Sequence, residues 1–300
     1  MGRDRAQLAE FLRSRRDRLT PQQAGISPLP GERRVPGLRR EELAMLAGVS
    51  VDYYSRLEQG RQANVSREVL DALARALRLD EVERAHLDDL AAPASPTVRA
   101  ATDRPQRPNP GLLRVISMLD HLPAVVIGRR GTVLARNALF CAVYGHPMEP
   151  GTSYTRYLLL DPDARERILD WDTCAHAAVA GLRREAARYP QDRHLAQHID
   201  ELRRADVDVA RWWDDHRVSE YSSAPRRIRH PVAGDLAFDV ELLVAPQETE
   251  QHLVLYTVEP YSRTARTLPL LAAWGADAPA SVMDTERTGG ASSQPAPGQE

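Results

Sequence analysis

The stretch REELAMLAGVSVDYYSRLEQ, Arg40 to Gln59, constrains the fold more than any other part of the chain. Its apolar residues fall at Leu43, Ala47, Val49, Tyr54 and Leu57, a spacing that fits two short helices better than one long one. Gly48 tolerates the positive φ of a tight helix C-cap, and Ser50 then suits the N-cap of a second helix. Ala44 is small enough to admit that second helix at close range. Two helices crossing steeply through a three- to four-residue turn need these residue types in this order. The pattern predicts a helix-turn-helix and not an ordinary helical hairpin.

A consequence follows for the face of the second helix. Tyr54 and Leu57, three apart, are expected in the core. Val51, Asp52, Tyr53 and Arg56 are expected on the exposed side, with Ser50 at its leading edge. The first turns of a recognition helix are what reach base edges in the major groove. Arg56 suits a bidentate pair with guanine, Asp52 suits acceptance from a cytosine amine, and Tyr53 suits a thymine methyl or a phosphate. Arg39 and Arg40 at the start of the first helix, and Arg61 just beyond the second, suit phosphate contacts. Each has a plainer alternative at this point: Asp52 complements the helix dipole, and the arginines are solvated.

Charge supports the same end of the chain. The formal net charge is −2, so the molecule as a whole is no general polyanion binder. Residues 1–40, however, carry ten arginines against four acids. All 40 basic residues are Arg, which together with the Ala-rich text points to a GC-rich genome and says nothing about any single position.

Around the central motif, residues 6–19 show a helical stripe of Leu8, Phe11, Leu12 and Leu19. Thr20-Pro21 has the cap-then-proline order that starts a short helix. Residues 27–37 are rich in turn formers, and Ser66 suits the cap of a helix with Val69, Leu70, Leu73, Ala74 and Leu77 on one side. Helical pattern continues to about Ala91. Residues 92–110 hold five prolines and almost no large apolar groups, as expected of an extended linker.

Beyond it the periodicity changes. AVVIGRRGTVLARN (124–137) predicts a hairpin, 138–145 and roughly 163–215 are helical in pattern, and RRIRHPVAGDLAFDVELLV and QHLVLYTVEP return to strands. That order is α+β with an antiparallel sheet. From about Ala276 the composition is that of a disordered tail. The expected layout is therefore multidomain: an all-α domain over 1–92, a linker over 93–110, an α+β domain over 111–275, and the tail 276–300.

The residues LRREELAMLAGVSVDYYSRLEQGRQANVSREVLDALARALRL (38–79) resemble the lambda-repressor-like, XRE-type helix-turn-helix regulators. RRVPGLRREELA and VDYYSRLEQGR are similar to the MmyB-like subgroup in particular, as are LARNALF, LLLDPDARERILDWD, RRIRHPVAGDLAFDVELL and LVLYTVEP in the same order. The resemblance spans roughly residues 8 to 275. It implies a sequence-specific regulator that binds a double-stranded DNA operator, with a PAS-like domain holding a small apolar, fatty-acid-like ligand. It leaves room for a homodimer on a pseudo-palindromic site. His216-Arg217-Val218 stands where the family usually has His-Asp-Val, so no role of that aspartate carries over.

The residues of the second half say less. Trp171, Trp213, Tyr221 and Phe238 are large enough to line a ligand pocket and equally suited to filling a core. Arg227 and His230 suit a pocket mouth that meets a carboxylate, or an exposed strand edge. No GxSxG, GxGxxG, Walker-type loop or HExxH occurs, so no enzyme, metal or cofactor is expected. His194 and His198 lie four apart but lack a third ligand. Cys174 beside His176 fits a packed thiol next to a surface histidine. Two cysteines without a CxxC, a polar N-terminus and no long apolar run fit a cytoplasmic protein without membrane contact. The competing reading makes the helix-turn-helix a protein-docking module, with Tyr53 and Tyr54 in its interface.

Overall fold

The computed structural model describes residues 3–27, 37–62, 65–92, 105–215, 224–245, 248–275 and 281–282. The chain divides into two compact units, Met1–Arg104 with Thr155–Ala237, and Pro105–Tyr154 with Phe238–Glu300. Each is described in turn.

The first unit begins with helices α1 (Arg3–Arg18), α2 (Pro21–Ala24), α3 (Arg40–Ala47), α4 (Val51–Glu58), α5 (Arg67–Ala76) and α6 (Glu81–Ala91). Their ends follow from local chemistry. Thr20 and Gln23 form a capping box on α2, with Pro21 at its first turn. Ser66 Oγ accepts from Val69 N to cap α5, and Asp80 with Glu83 closes a capping box on α6. Leu8, Phe11 and Leu12 of α1, Leu43 and Ala44 of α3, Tyr54 and Leu57 of α4, Leu70 and Leu73 of α5, and Leu87 of α6 share one buried core. Each large apolar side chain so buried contributes about 1.5–3 kcal/mol. Gly37 lies where the chain returns to α1, and a Cβ there would meet Asp17 O at 2.3 Å. Only glycine fits that approach.

The same unit contains α9 (Tyr154–Leu160) from Thr155 onward, α10 (Pro162–Arg167), α11 (Trp171–Arg188), α12 (Arg193–Ala205), α13 (Val207–Asp214) and strand β3 (Ala224–His230). Ala187 of α11 belongs to the core that α1–α6 build, and α11 packs against α6. β3 is an edge strand whose free side is occupied: Leu169 N donates to Arg227 O at 2.9 Å, and Ile168 bridges Ile228. This cover removes an open hydrogen-bonding edge.

The second unit starts with α7 (Pro110–Ser117), whose cap Asn109 accepts from Gly111 N and Leu112 N. Gln251 fastens the approach to it, accepting from Asn109 N and donating to Arg107 O, both at 2.8 Å. Residues 105–110, the end of the stretch expected to be an extended linker, are thus tied to a strand; 93–104 lie outside the described residues. Then come β1 (Ala124–Ile127), a 3-10 turn at Arg129–Gly131, β2 (Val133–Arg136), α8 (Ala138–Tyr144), β4 (Gly234–Ala245) from Phe238, β5 (Glu248–Thr257), α14 (Arg263–Gly275) and the two-residue β6 (Ser281–Val282). β6 falls within the stretch expected to be a tail, and the rest of 276–300 lies outside the described residues.

The strand order is β3-β4-β5-β1-β2-β6. β1 pairs antiparallel with both β2 and β5, and β5 also pairs antiparallel with β4. The fold class is the expected one, an all-α helix-turn-helix region followed by an α+β region with an antiparallel sheet. Within the second unit Tyr144, Tyr154 and Tyr256 gather their hydroxyls, 2.8 Å between Tyr144 and Tyr256 and 3.0 Å between Tyr144 and Tyr154. Burying three phenols is tolerable because each hydroxyl has a partner.

Candidate nucleic-acid interface

The turn between α3 and α4 has the expected construction. Gly48 adopts φ 67 and ψ 28 and closes α3, its N–H reaching Ala44 O and Met45 O. Ser50 is extended, and its Oγ accepts from Tyr53 N at 3.1 Å to open α4. The two helices pack against each other and against α1 and α5.

Tyr54 and Leu57 point inward, as their spacing predicts. Val51 is 41% exposed, and the side chains of Asp52 and Arg56 are 78% and 51% exposed. Tyr53 is half-buried and leans on the core. Arg56 Nη2 lies 3.2 Å from Asp52 Oδ2, an i,i+4 pair on the surface of α4. Such a surface pair holds the guanidinium weakly. Ser50 and Arg61 are exposed at either end of this face. The structure therefore brings Ser50, Val51, Asp52, Tyr53, Arg56 and Arg61 to one short helix and its ends. Met45, exposed near the end of α3, was not singled out from sequence, because a lone apolar residue on a helix surface carries no signal.

Arg39 and Arg40 have structural partners as well. Arg39 is the N-cap position of α3, where Glu42 Oε2 accepts from its backbone N–H at 2.7 Å. Arg40 Nε donates to Glu58 Oε2 at 2.6 Å while its side chain stays 44% exposed. Glu58 is the centre of a network that sequence reasoning missed. It is fully buried and also accepts from Arg16 Nε at 2.5 Å and from the Tyr54 hydroxyl at 2.8 Å. Arg16 donates further to Leu38 O at 2.7 Å. Burial alone would push the Glu58 carboxyl up; hydrogen bonds from Arg16 and Arg40, the Arg16 charge and the Tyr54 hydroxyl outweigh it and hold the group below the usual carboxylate range. Burial, with the Glu58 charge, pushes the Tyr54 phenol well up, so it stays a donor. The available signal was periodicity: Glu58 lies four residues after Tyr54, on the buried stripe.

The residues expected to meet a small ligand, where described, have the following surroundings. Trp171 Nε1 donates to Leu158 O at 2.7 Å, and its ring stacks on Trp212 and under Arg165. Trp213 lies under the Arg183 guanidinium at 4.7 Å. His230 Nδ1 accepts from Val232 N and Ala233 N in the turn after β3, while Arg227 is exposed on that strand. Phe238 belongs to the second unit, edge-on to Tyr256 at 5.7 Å. Tyr221 and residues 216–218 lie outside the described residues. Trp171, Trp213, His230 and Phe238 are thus engaged in packing, stacking and a turn, and Arg227 is exposed.

His198 bonds Thr155 Oγ1 at 2.9 Å, and His194 is exposed. Among the described residues no group of three or more His, Cys, Asp or Glu is placed to hold a metal ion. Burial pushes the Cys174 thiol up to about 11, which suits packing and not attack. His176 is not a surface residue as expected; it is half-buried and stacks on Trp212 at 4.3 Å, because α13 covers that side of α11.

A helix-turn-helix with an exposed recognition helix, joined to an α+β region, defines a DNA-binding regulator with a second, sensing part. Comparison with protein families agrees: a helix-turn-helix domain matches residues 7–87, and the MmyB-like transcription regulator ligand binding domain matches residues 108–271. The second match covers more than half of the chain, and the chain belongs to the MmyB-like transcription regulators. No curated protein matches it. Neither family is an enzyme family. Among the described residues no helix is long and apolar enough to cross a membrane.

Proposed function

We propose that this protein is a cytoplasmic, sequence-specific transcription regulator that reads an operator half-site with α4 and answers to a small apolar, fatty-acid-like molecule. The observation that carries the DNA half of this reading is the exposed row Val51, Asp52 and Arg56 on a helix whose opposite side, Tyr54 and Leu57, is locked into the core. Arg56 takes guanine, Asp52 a cytosine amine, and Arg61 and the free portion of Arg40 meet phosphates. Ligand chemistry rests on the family match over 108–271 and on the apolar, aromatic interior of the C-terminal region.

A homodimer would set two copies of α4 about one helical turn of DNA apart, on a pseudo-palindromic site. A ligand alters binding only by favouring one arrangement of the two readers. The test is a mobility shift on the DNA upstream of the protein's own gene, with and without a cell lipid extract, alongside native mass spectrometry of the purified chain. A specific complex that responds to the extract, and a co-purified small molecule, are the expected results. No retardation under either condition would overturn the reading.

A further inference from the structure

The DNA-binding helices do not stand apart from the segment that follows them. Within the first unit, α11 packs against α6 of the module and α13 packs against α11. Ala187 of α11 enters the module's core. Arg183 of α11 is 6% exposed, stacks on Trp213, and donates to the carbonyl oxygens of Trp212 and Trp213 at the end of α13. Those carbonyls carry the partial negative charge of a helix C-terminus, so the cation is met by dipole, ring and hydrogen bonds together.

From the module, Arg15 comes to the same place, 7% exposed, stacked over Phe11 and 3.1 Å from Glu83. Burial pushes Arg183 down to about 10, with the Arg15 charge adding to it and Asp214, Asp215 and Glu10 opposing. At the rim Arg18 reaches Asp215 Oδ1 at 2.6 Å. Asp89 of α6 faces Arg184 and Arg188 of α11.

We propose that α11 and α13 form a seat that holds the DNA-binding module, with Arg183 fastening the two seat helices to each other, and that the seated form leaves the recognition helix open to DNA. Core sharing through Ala187 and the rim ion pair between Arg18 and Asp215 are two ties across the seam, and Arg183 holds α13, whose end carries Asp215, against α11. The seam uses α1 and α6, and Val51, Asp52 and Arg56 of α4 stay exposed while it is closed. The module is therefore not silenced by covering its reading face; control acts through the body that carries it. The seat itself stands without the DNA reading; the consequence for control rests on it.

The experiment is a distance measurement between spin labels at exposed Glu68 of α5 and Arg204 of α12 in the full chain, with Cys141 and Cys174 replaced by Ala. Without DNA, one narrow distance is expected for the otherwise unchanged chain. Arg183→Ala should broaden it severalfold, and Arg18→Ala, at the rim, should broaden it less, with helix content unchanged in both. A broad distribution in the unchanged chain would overturn the seat, as would a narrow one in both variants. If Arg183→Ala fails to fold, the unchanged chain and Trp213→Ala decide. Adding DNA that the protein retards should leave the narrow distance in place. A shift on binding would overturn the claim that the seated form is the binding form. Failure to bind any DNA would count against the proposed function and leave the DNA-free distances standing.

Discussion

Tyr54 and Arg56 are two residues apart on α4 and do opposite work. Tyr54 gives its hydroxyl to a buried carboxylate that two arginines also hold, so Tyr54→Phe should cost about 1.5–3 kcal/mol, read from denaturant unfolding. Glu58→Ala should cost more, about 3–5 kcal/mol, because Arg16 loses its buried counter-charge and keeps only the half-exposed Asp17. The Glu58 carboxyl is held below its ordinary range in the folded chain. Its contribution is therefore full above the unfolded value of about 4.3 and is lost as pH falls from there through the folded value. Unfolding followed between pH 6 and pH 3 should show that acid-dependent loss in the natural chain and a shallower one in Glu58→Gln. Arg56→Ala should leave the unfolding midpoint unchanged and weaken operator binding by about 1–3 kcal/mol, with relaxed preference at one base pair.

At the scale of the elements, the turn between α3 and α4 offers a clean test of backbone chemistry. A Cβ on Gly48 would meet nothing within 4 Å, so Gly48→Ala should cost only the left-handed conformation, about 1–2 kcal/mol. A larger loss, or none, in thermal unfolding would contradict that assignment of the turn. This turn was legible in the sequence because everything that forms it is local: Gly48, Ser50 and the apolar spacing around them. The caps Thr20 and Ser66 were legible for the same reason. Other elements hid behind proline. Pro110 sits at the first turn of α7, where its missing N–H costs nothing, and Pro269 lies inside α14, so both helices were passed over. The strands β1, β2, β4 and β5 were evident from composition, but their order was not, since β5 pairs with β1 from the far end of the chain. Glu58 and Arg183 were missed because their partners, Arg16 in one case and Trp213 in the other, lie far away in sequence.

For the molecule as a whole, the helix-turn-helix and the ligand-binding domain are matched separately along the chain, while the described contacts group the DNA-binding helices with α9–α13. Domain limits read along a sequence follow composition and linkers; compactness follows packing, and here α11, which lies within the ligand-binding match, enters the helix-turn-helix core through Ala187. The net charge of −2 also makes the local surface, and not the whole, responsible for meeting DNA. Removing one phosphate contact by Arg61→Ala should weaken binding about equally on all sequences and reduce the salt slope by about 1. The most direct measurement is therefore the affinity of the full chain for duplex DNA upstream of its own gene, titrated at rising salt beside the Arg56→Ala variant. Reading by α4 requires a steep linear fall of log affinity with log salt, and weaker, less selective binding by the folded variant. Affinity insensitive to salt, or an Arg56→Ala chain that binds the same site as tightly as the natural one, would contradict it.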